Sequence, residues 1–242
     1  MMNKNNHRRI KNIIFDLDGT LIHVKPHRAN VIQDFLEKNG VRMTESQIRE
    51  AGRWSSEFWL DKASWELVPD WDDRDSRLLF WRSYLEHYYE ILQVPEGSLD
   101  YLFTALSQQL VDDKHEVFLM DDIMDVLQDL KESGYRMGVL SNRESPIAPV
   151  VEKFALSGYF QCVYSAGELE SVKPDKIIFE KYLKLFGGVP QETMYVGDNY
   201  WLDGLGAQGA GLSPVIFDVF DWYNDIDMPR ISTMSELVHH LA

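Results

Sequence analysis

"NIIFDLDGT" (Asn12–Thr20) sets a short apolar run directly against two aspartates, a glycine and a threonine. Ile, Ile and Phe in succession, closed by a Gly-Thr pair, read as a buried strand that ends in a turn. The same pattern recurs in "YRMGVLSN" (Tyr135–Asn142), "QCVYSAG" (Gln161–Gly167), "TMYVGDN" (Thr193–Asn199) and "SPVIFD" (Ser213–Asp218). Segments of helical period lie between these runs. "DDIMDVLQDLKESG" carries Ile123, Val126, Leu127 and Leu130 on one face, acidic residues at its start and Gly134 past its end. "SPIAPVVEKFALSG" and "KPDKIIFEKYLKLFGG" follow the same rule, and Pro174 suits the first helical turn of the second. Strands alternating with helices of this length predict right-handed βαβ units, hence a doubly wound, mostly parallel, Rossmann-like α/β sheet.

The alternation breaks between Pro26 and Val117, where helical periodicity replaces it and no strand is evident. "RANVIQDFLEKNG", "TESQIREAGRWSSEFWLDKAS", "DSRLLFWRSYLEHYYEILQV" and "SLDYLFTALSQQLVDD" are the candidates, with Thr44 and Ser98 as N-caps of the second and fourth. The expected organisation is an α/β core of residues 1–25 plus 118–242, interrupted by an all-α module over 26–117. That module holds Trp54, Phe58, Trp59, Trp65, Trp71, Phe80, Trp81, Tyr84, Tyr88 and Tyr89, including five of the chain's seven tryptophans. Rings at helical spacing are first a packing signal, filling a small core; the alternative is an apolar wall lining a ligand crevice.

Composition narrows the partners. With 24 basic and 39 acidic residues the net charge is -15, a surface that repels nucleic-acid backbones and anionic lipid headgroups. No stretch approaches a membrane span, and the apolar run after the basic N-terminus is too short for a secretory signal. Cys162 is the only cysteine, so no internal disulfide and no cysteine-based zinc cluster can form. It reads as a buried small hydrophobe in a cytoplasmic protein. The histidines form no H-E-x-x-H cluster. Oligomeric state leaves no trace in the sequence.

In open parallel sheets, ligands bind beyond the carboxyl ends of the strands. Reading residues off those ends collects Asp16, Asp18, Gly19 and Thr20, then Ser141 and Asn142, then Asp198 and Asp203, with Lys173 a short loop after the third strand. Four carboxylates, an amine and a hydroxyl are therefore expected around one crevice. Carboxylates so close repel one another unless a positive charge sits among them. A hard divalent cation such as Mg²⁺ answers that need, and with Lys173 it suits a transferring phosphoryl group.

This ordered set resembles the haloacid dehalogenase superfamily, in its phosphatase-like branch with a first-type helical cap. "FDLDGT", "LSN", "VKP" and "VGDNYWLD" match the family's four motifs in order, and the helical module falls where the family inserts its cap. The resemblance implies Asp16 as nucleophile, forming an aspartyl-phosphate, and Asp18 as general acid then base. It implies Ser141 and Lys173 on the phosphoryl oxygens, helped by the amide of Asn142, and Thr20 ordering the turn. Mg²⁺ would be held by Asp16, the Asp18 carbonyl, Asp198 and Asp203. An acid at position 18 favours phosphate esters over carbon–halogen bonds, so the implied reaction is release of phosphate from a small phosphorylated metabolite. A phosphomutase on the same chemistry, or a binding protein on the same scaffold, are the alternatives. In the cap, Arg53 is a candidate substrate contact, against the plainer reading of an exposed helix arginine.

One rival motif needs weighing. "GLGAQG" (Gly204–Gly209) spells a dinucleotide-binding fingerprint, which should follow its strand at once and lead into more βαβ structure. Here "NYWLD" intervenes and little chain remains beyond. Small residues that let a helix pack closely against the sheet are the simpler account.

Overall fold

A computed structural model describes residues 9–60, 70, 72–94, 99–112 and 115–241. The chain forms two compact units, Met1–His23 with Leu119–Ala242, and Val24–Phe118. In the first, six strands run in the order β5-β4-β1-β6-β7-β8: β1 Asn12–Phe15, β4 Arg136–Ser141, β5 Cys162–Ser165, β6 Thr193–Gly197, β7 Ser213–Phe217 and β8 Arg230–Ile231. Every adjacent pair is parallel. Two further short strands, β2 Ile22–Lys25 and β3 Glu116–Leu119, pair with each other where the chain leaves and re-enters this unit.

Alternation along the strands sorts their side chains into two cores. Ile13 and Phe15 of β1 join Met137 and Val139 of β4 and Met194 and Val196 of β6 on one face. That face is covered by Ile123, Leu127 and Leu130 of the helix Ile123–Glu132. Ile14, Leu140 and Tyr195 point the other way, against Ile178, Phe179 and Tyr182 of the helix Lys176–Phe186. Burial on both sides is why these strands are continuously apolar rather than alternating. Each fully buried Ile, Phe or Leu contributes on the order of 1.5–3 kcal/mol.

The second unit contains the helices α1 Arg28–Lys38, α2 Glu45–Glu57, α3 Arg74–Leu92 and α4 Leu99–Asp112. Thr44 caps α2 through a capping box with Gln47, and Asp73 caps α3 by accepting from the Ser76 N–H. Phe80, Trp81, Tyr84, Tyr88 and Tyr89 are buried in this unit's own cluster, with Trp54, Phe58 and Trp59 packed against it. These rings serve packing. Trp65, Trp71 and Ser98 lie outside the described residues.

Three local readings need correction. Strands occur where none was expected: β3 begins at Glu116, inside the span read as helical, and β2 and β8 had no counterpart. β3 is exposed or half-buried throughout and β8 has two residues, so neither carries a core-face pattern. Pro174 is not in a first helical turn. The helix starts at Lys176 because Asp175 caps it, accepting from the Ile177 N–H at 2.9 Å. Finally, the helix after β6 opens as a π-helical turn, Tyr200–Leu205, before Gly206–Gly209. Its glycines are tight: a Cβ on Gly204 would press on Met228 and Ile216, and one on Gly206 on Pro174 and Phe179.

Candidate active site

The register fixes what can meet. Phe15 of β1 aligns with Val139 of β4 and Val196 of β6, and the Asp16 N–H continues the ladder to the Val196 carbonyl at 2.8 Å. Residues following β1, β4 and β6 therefore emerge side by side. After Phe15 the chain folds back on itself, with the Leu21 and Ile22 N–H groups bonded to the Leu17 carbonyl and Gly19 at φ +79. Gly19 does two jobs: it supplies the left-handed conformation, and a Cβ there would collide with the Asp198 carboxylate. Gly197 is constrained similarly, because a Cβ would overlap the Asp203 side chain.

At the centre, Lys173 is 2% exposed and its Nζ lies 2.6 Å from Asp16 Oδ1 and 2.6 Å from Asp203 Oδ1. Its third N–H goes to the Tyr195 hydroxyl at 3.0 Å, which in turn donates to the Leu140 carbonyl at 3.0 Å. All three ammonium protons thus have acceptors. Asn142 holds this lysine by its main chain: the side-chain amide donates to the Lys173 carbonyl at 3.0 Å and accepts from its N–H at 2.7 Å. Asp203 is locked from the other side by the Asn199 N–H at 3.0 Å, while Asn199 Oδ1 caps the π-helical turn through the N–H groups of Trp201 and Leu202.

Oxygen atoms of Asp16, Asp198 and Asp203 lie within 4.8 Å of one another. Burial pushes the Asp16 carboxyl up to about 7, with Asp203 and Asp18 adding to the rise and Lys173 opposing it. Burial also lifts Asp198 well above the carboxylate range, helped by Asp16 and Asp203. For Lys173 the same burial works against the charge, but Asp16 and Asp203 outweigh it and hold the ammonium firmly protonated. Three carboxylates against one ammonium leave the cluster short of positive charge. Hard oxygen donors in that number and at that spacing fit Mg²⁺, which favours carboxylates and retains water in its shell.

The remaining expected residues take varied places. Asp18 is exposed and clasped by Arg143, whose Nε and Nη2 donate to the two carboxylate oxygens at 2.7 and 2.6 Å. Ser141 is buried and its Oγ accepts from the Arg143 N–H at 3.2 Å. Thr20 is fully buried, and its Oγ1 has no hydrogen-bond partner among the described residues. The turn is ordered by main-chain bonds and by the Thr20 carbonyl contacting His23 at 3.1 Å. Arg53 sits half-buried on α2 of the helical unit. Sequence reasoning missed Arg143, Tyr195 and Asn199. Arg143 had a signal, being the first base after "LSN", and Asn199 was a legible helix cap. Tyr195 lies mid-strand in an apolar run and gave none.

With that geometry in place, the chain matches the haloacid dehalogenase-like hydrolase family over residues 10–211. It belongs to that family. It is a hydrolase, and the fold is the one the resemblance implied. Among curated relatives it is similar to phosphoglycolate phosphatase 1 of Pseudomonas aeruginosa, 26% identical over 83% of this chain and 66% of that protein. It is similar also to pyrophosphatase PpaX of Bacillus cereus, 26% identical over 84% of this chain and 81% of that one. Among solved structures, the L-2-haloacid dehalogenase RSc1362 superposes with TM-score 0.59 at 20% identity, covering 97% of this chain and 99% of that chain. YfnB of Bacillus subtilis in a magnesium-bound form gives TM-score 0.57 at 18% identity, covering 97% and 99%. These structural likenesses bear on the fold.

Proposed function

We propose that the protein is a Mg²⁺-dependent phosphohydrolase acting on a small phosphomonoester through an aspartyl-phosphate on Asp16. The observation that carries this reading is the buried Lys173 ammonium, 2.6 Å from the carboxylates of both Asp16 and Asp203. A cation so placed holds Asp16 in position at the strand end and offers its charge to phosphoryl oxygens arriving beside it. The names of the two curated relatives, a phosphoglycolate phosphatase and a pyrophosphatase, support phosphate chemistry over dehalogenation.

In the reaction so read, an Asp16 oxygen attacks phosphorus while the bond to the leaving oxygen breaks, and that oxygen takes a proton from the Asp18 carboxyl. Water then attacks the phosphorus of phospho-Asp16, gives its proton to the Asp18 carboxylate, and the Asp16–phosphorus link opens to release phosphate. Ser141 and Lys173 hold the non-bridging oxygens; Asn142 acts through Lys173, whose main chain it fixes. Asp16, Asp198, Asp203 and the Asp18 carbonyl would hold Mg²⁺, which when bound supplies further positive charge against the phosphoryl oxygens. Residues 26–117 are read as a cap that sets specificity, with Arg53 as a proposed substrate contact, and the protein as cytoplasmic.

Purified protein should release phosphate from an aryl phosphate with Mg²⁺ and lose that activity in Asp16→Asn. Undiminished turnover in Asp16→Asn would end the nucleophile assignment. Isomerisation of a sugar phosphate without phosphate release would replace the hydrolase reading by a mutase one.

A further inference from the structure

Among the described residues of the α/β unit, two cations touch the proposed catalytic carboxylates, and they are not equivalent. Lys173 is buried, and its Nζ lies against Asp16, Asp203 and the Tyr195 hydroxyl. Arg143 stands at the surface, 41% exposed, and grips Asp18 with two of its five N–H donors. Asp16 is the residue that meets phosphorus in the proposed reaction, and Asp18 the one that meets the leaving oxygen. The positive charge is therefore divided: Lys173 belongs to the phosphoryl side, Arg143 to the leaving-group side.

Bound this way, Arg143 has a partner it can exchange. A guanidinium fork matches a carboxylate or a phosphate equally well, and the pair with Asp18 is open to solvent, the two side chains being 41% and 49% exposed, so an arriving anion can compete for the fork. A neutral alcohol arriving at Asp18 offers the fork nothing. An anionic leaving fragment offers it a carboxylate or phosphate in place of Asp18, freeing that side chain to approach the leaving oxygen. Such a fragment would otherwise be repelled, because the site is lined with aspartates and the chain carries a net charge of -15.

We propose that Arg143 is a specificity-determining residue that recognises the leaving fragment, and that the substrates are phosphoesters or phosphoanhydrides whose leaving fragment bears its own carboxylate or phosphate. The inference rests on the phosphohydrolase reading above and on the role it gives Asp18. It makes Arg143 more than a clamp for Asp18, and the two roles separate experimentally.

The test compares the O-phosphates of glycolic acid and glycolamide, matched in size and differing by one charge, in steady-state phosphate release with Mg²⁺. Wild-type protein should favour the acid by about tenfold or more in kcat/KM, the discrimination that about 1.4 kcal/mol supplies. Arg143→Gln should slow both esters through the loss of Asp18 positioning, yet bring their ratio close to one, chiefly by raising KM for the acid. Arg143→Lys, which keeps the charge without the fork, should restore part of the ratio. Circular dichroism establishes that the variants are folded. An unchanged ratio in Arg143→Gln, or a wild type indifferent to the charge, overturns the proposal while aryl phosphate turnover leaves the hydrolase reading standing. Absence of turnover on every ester, aryl phosphate included, brings down both.

Discussion

Lys173 concentrates the energetics of this site in a single residue. Its ammonium is the counter-charge for Asp16 and Asp203, all three buried. Removing one partner of a buried ion pair leaves an uncompensated charge and costs about 3–5 kcal/mol, far more than the pair itself contributes. Lys173→Met should therefore lower the unfolding free energy by roughly that amount in metal-free buffer near neutrality. Adding Asp203→Asn to the same chain should recover part of the loss, because one of the stranded charges goes with it. Urea unfolding of the wild type, the single variant and the double variant measures this. A loss below about 1 kcal/mol in the single variant would show that water, not the lysine, compensates the carboxylates. At this scale the sequence was informative about chemistry and silent about support. Asp16, Asp198, Asp203 and Lys173 were legible because strand ends of a parallel sheet converge. The Tyr195 hydroxyl was not, since a mid-strand tyrosine has no pattern that distinguishes it from packing; Arg143 stood out only as the first base after "LSN", and nothing in its spacing pointed to Asp18.

The turn after β1 is the element on which convergence depends. Its glycine combines φ +79 with a contact to Asp198 that leaves no room for a Cβ. Gly134, at φ +83 after the helix Ile123–Glu132, has the same backbone demand but nothing within 4 Å of its would-be Cβ. The pair separates two costs. Gly134→Ala should lose about 1–2 kcal/mol, the cost of left-handed backbone in an L-residue. Gly19→Ala should lose at least as much and also weaken Mg²⁺ binding about tenfold or more, because Asp198 must move; calorimetric titration with Mg²⁺ reads that difference, tenfold being about 1.4 kcal/mol. Equal Mg²⁺ affinity in the two variants would mean that the turn does not position Asp198. The long elements of the fold were readable from period and length: the five apolar runs became β1, β4, β5, β6 and β7. What escaped were elements too short or too exposed to bury a face, namely β2, β3 and β8, and the π-helical turn over Tyr200–Leu205. That turn follows Asn199, whose side chain takes the first N–H groups and whose main chain holds Asp203. A window of helical hydrophobicity cannot see such a device, because it is set by hydrogen bonds rather than by burial.

For the molecule as a whole, the carboxylate cluster couples fold stability to protons with a sign opposite to ordinary acid denaturation, and under the function proposed above it couples stability to Mg²⁺ as well. Burial pushes the Asp16 carboxyl from the ordinary 3.8 up to about 7 in the folded chain, and raises Asp198 as well. Between those values the folded state binds more protons than the unfolded one. Stability from these groups therefore rises as pH falls from about 7 towards 4, and is lowest above the folded value, where both carboxylates are forced to ionise. His23 works the other way: burial lowers its value below 6.5, so its protonation opposes folding as pH drops. With two raised acids against one lowered histidine, the metal-free protein should gain stability on acidification from about pH 7.5 to about pH 5.5. Asp198→Asn should flatten that slope. Saturating Mg²⁺ should stabilise the fold at the higher pH by RT ln(1 + [L]/Kd), about 2.7 kcal/mol at a hundredfold excess over Kd, and should reverse the slope, because protons now compete with the ion for Asp16 and Asp198. Urea midpoints at the two pH values, in chelator and in Mg²⁺, give all four points. A metal-free slope that already falls on acidification, and that Mg²⁺ leaves unchanged, would mean that these carboxylates are neither desolvated nor ligands, and the metal assignment would fall with the pH dependence.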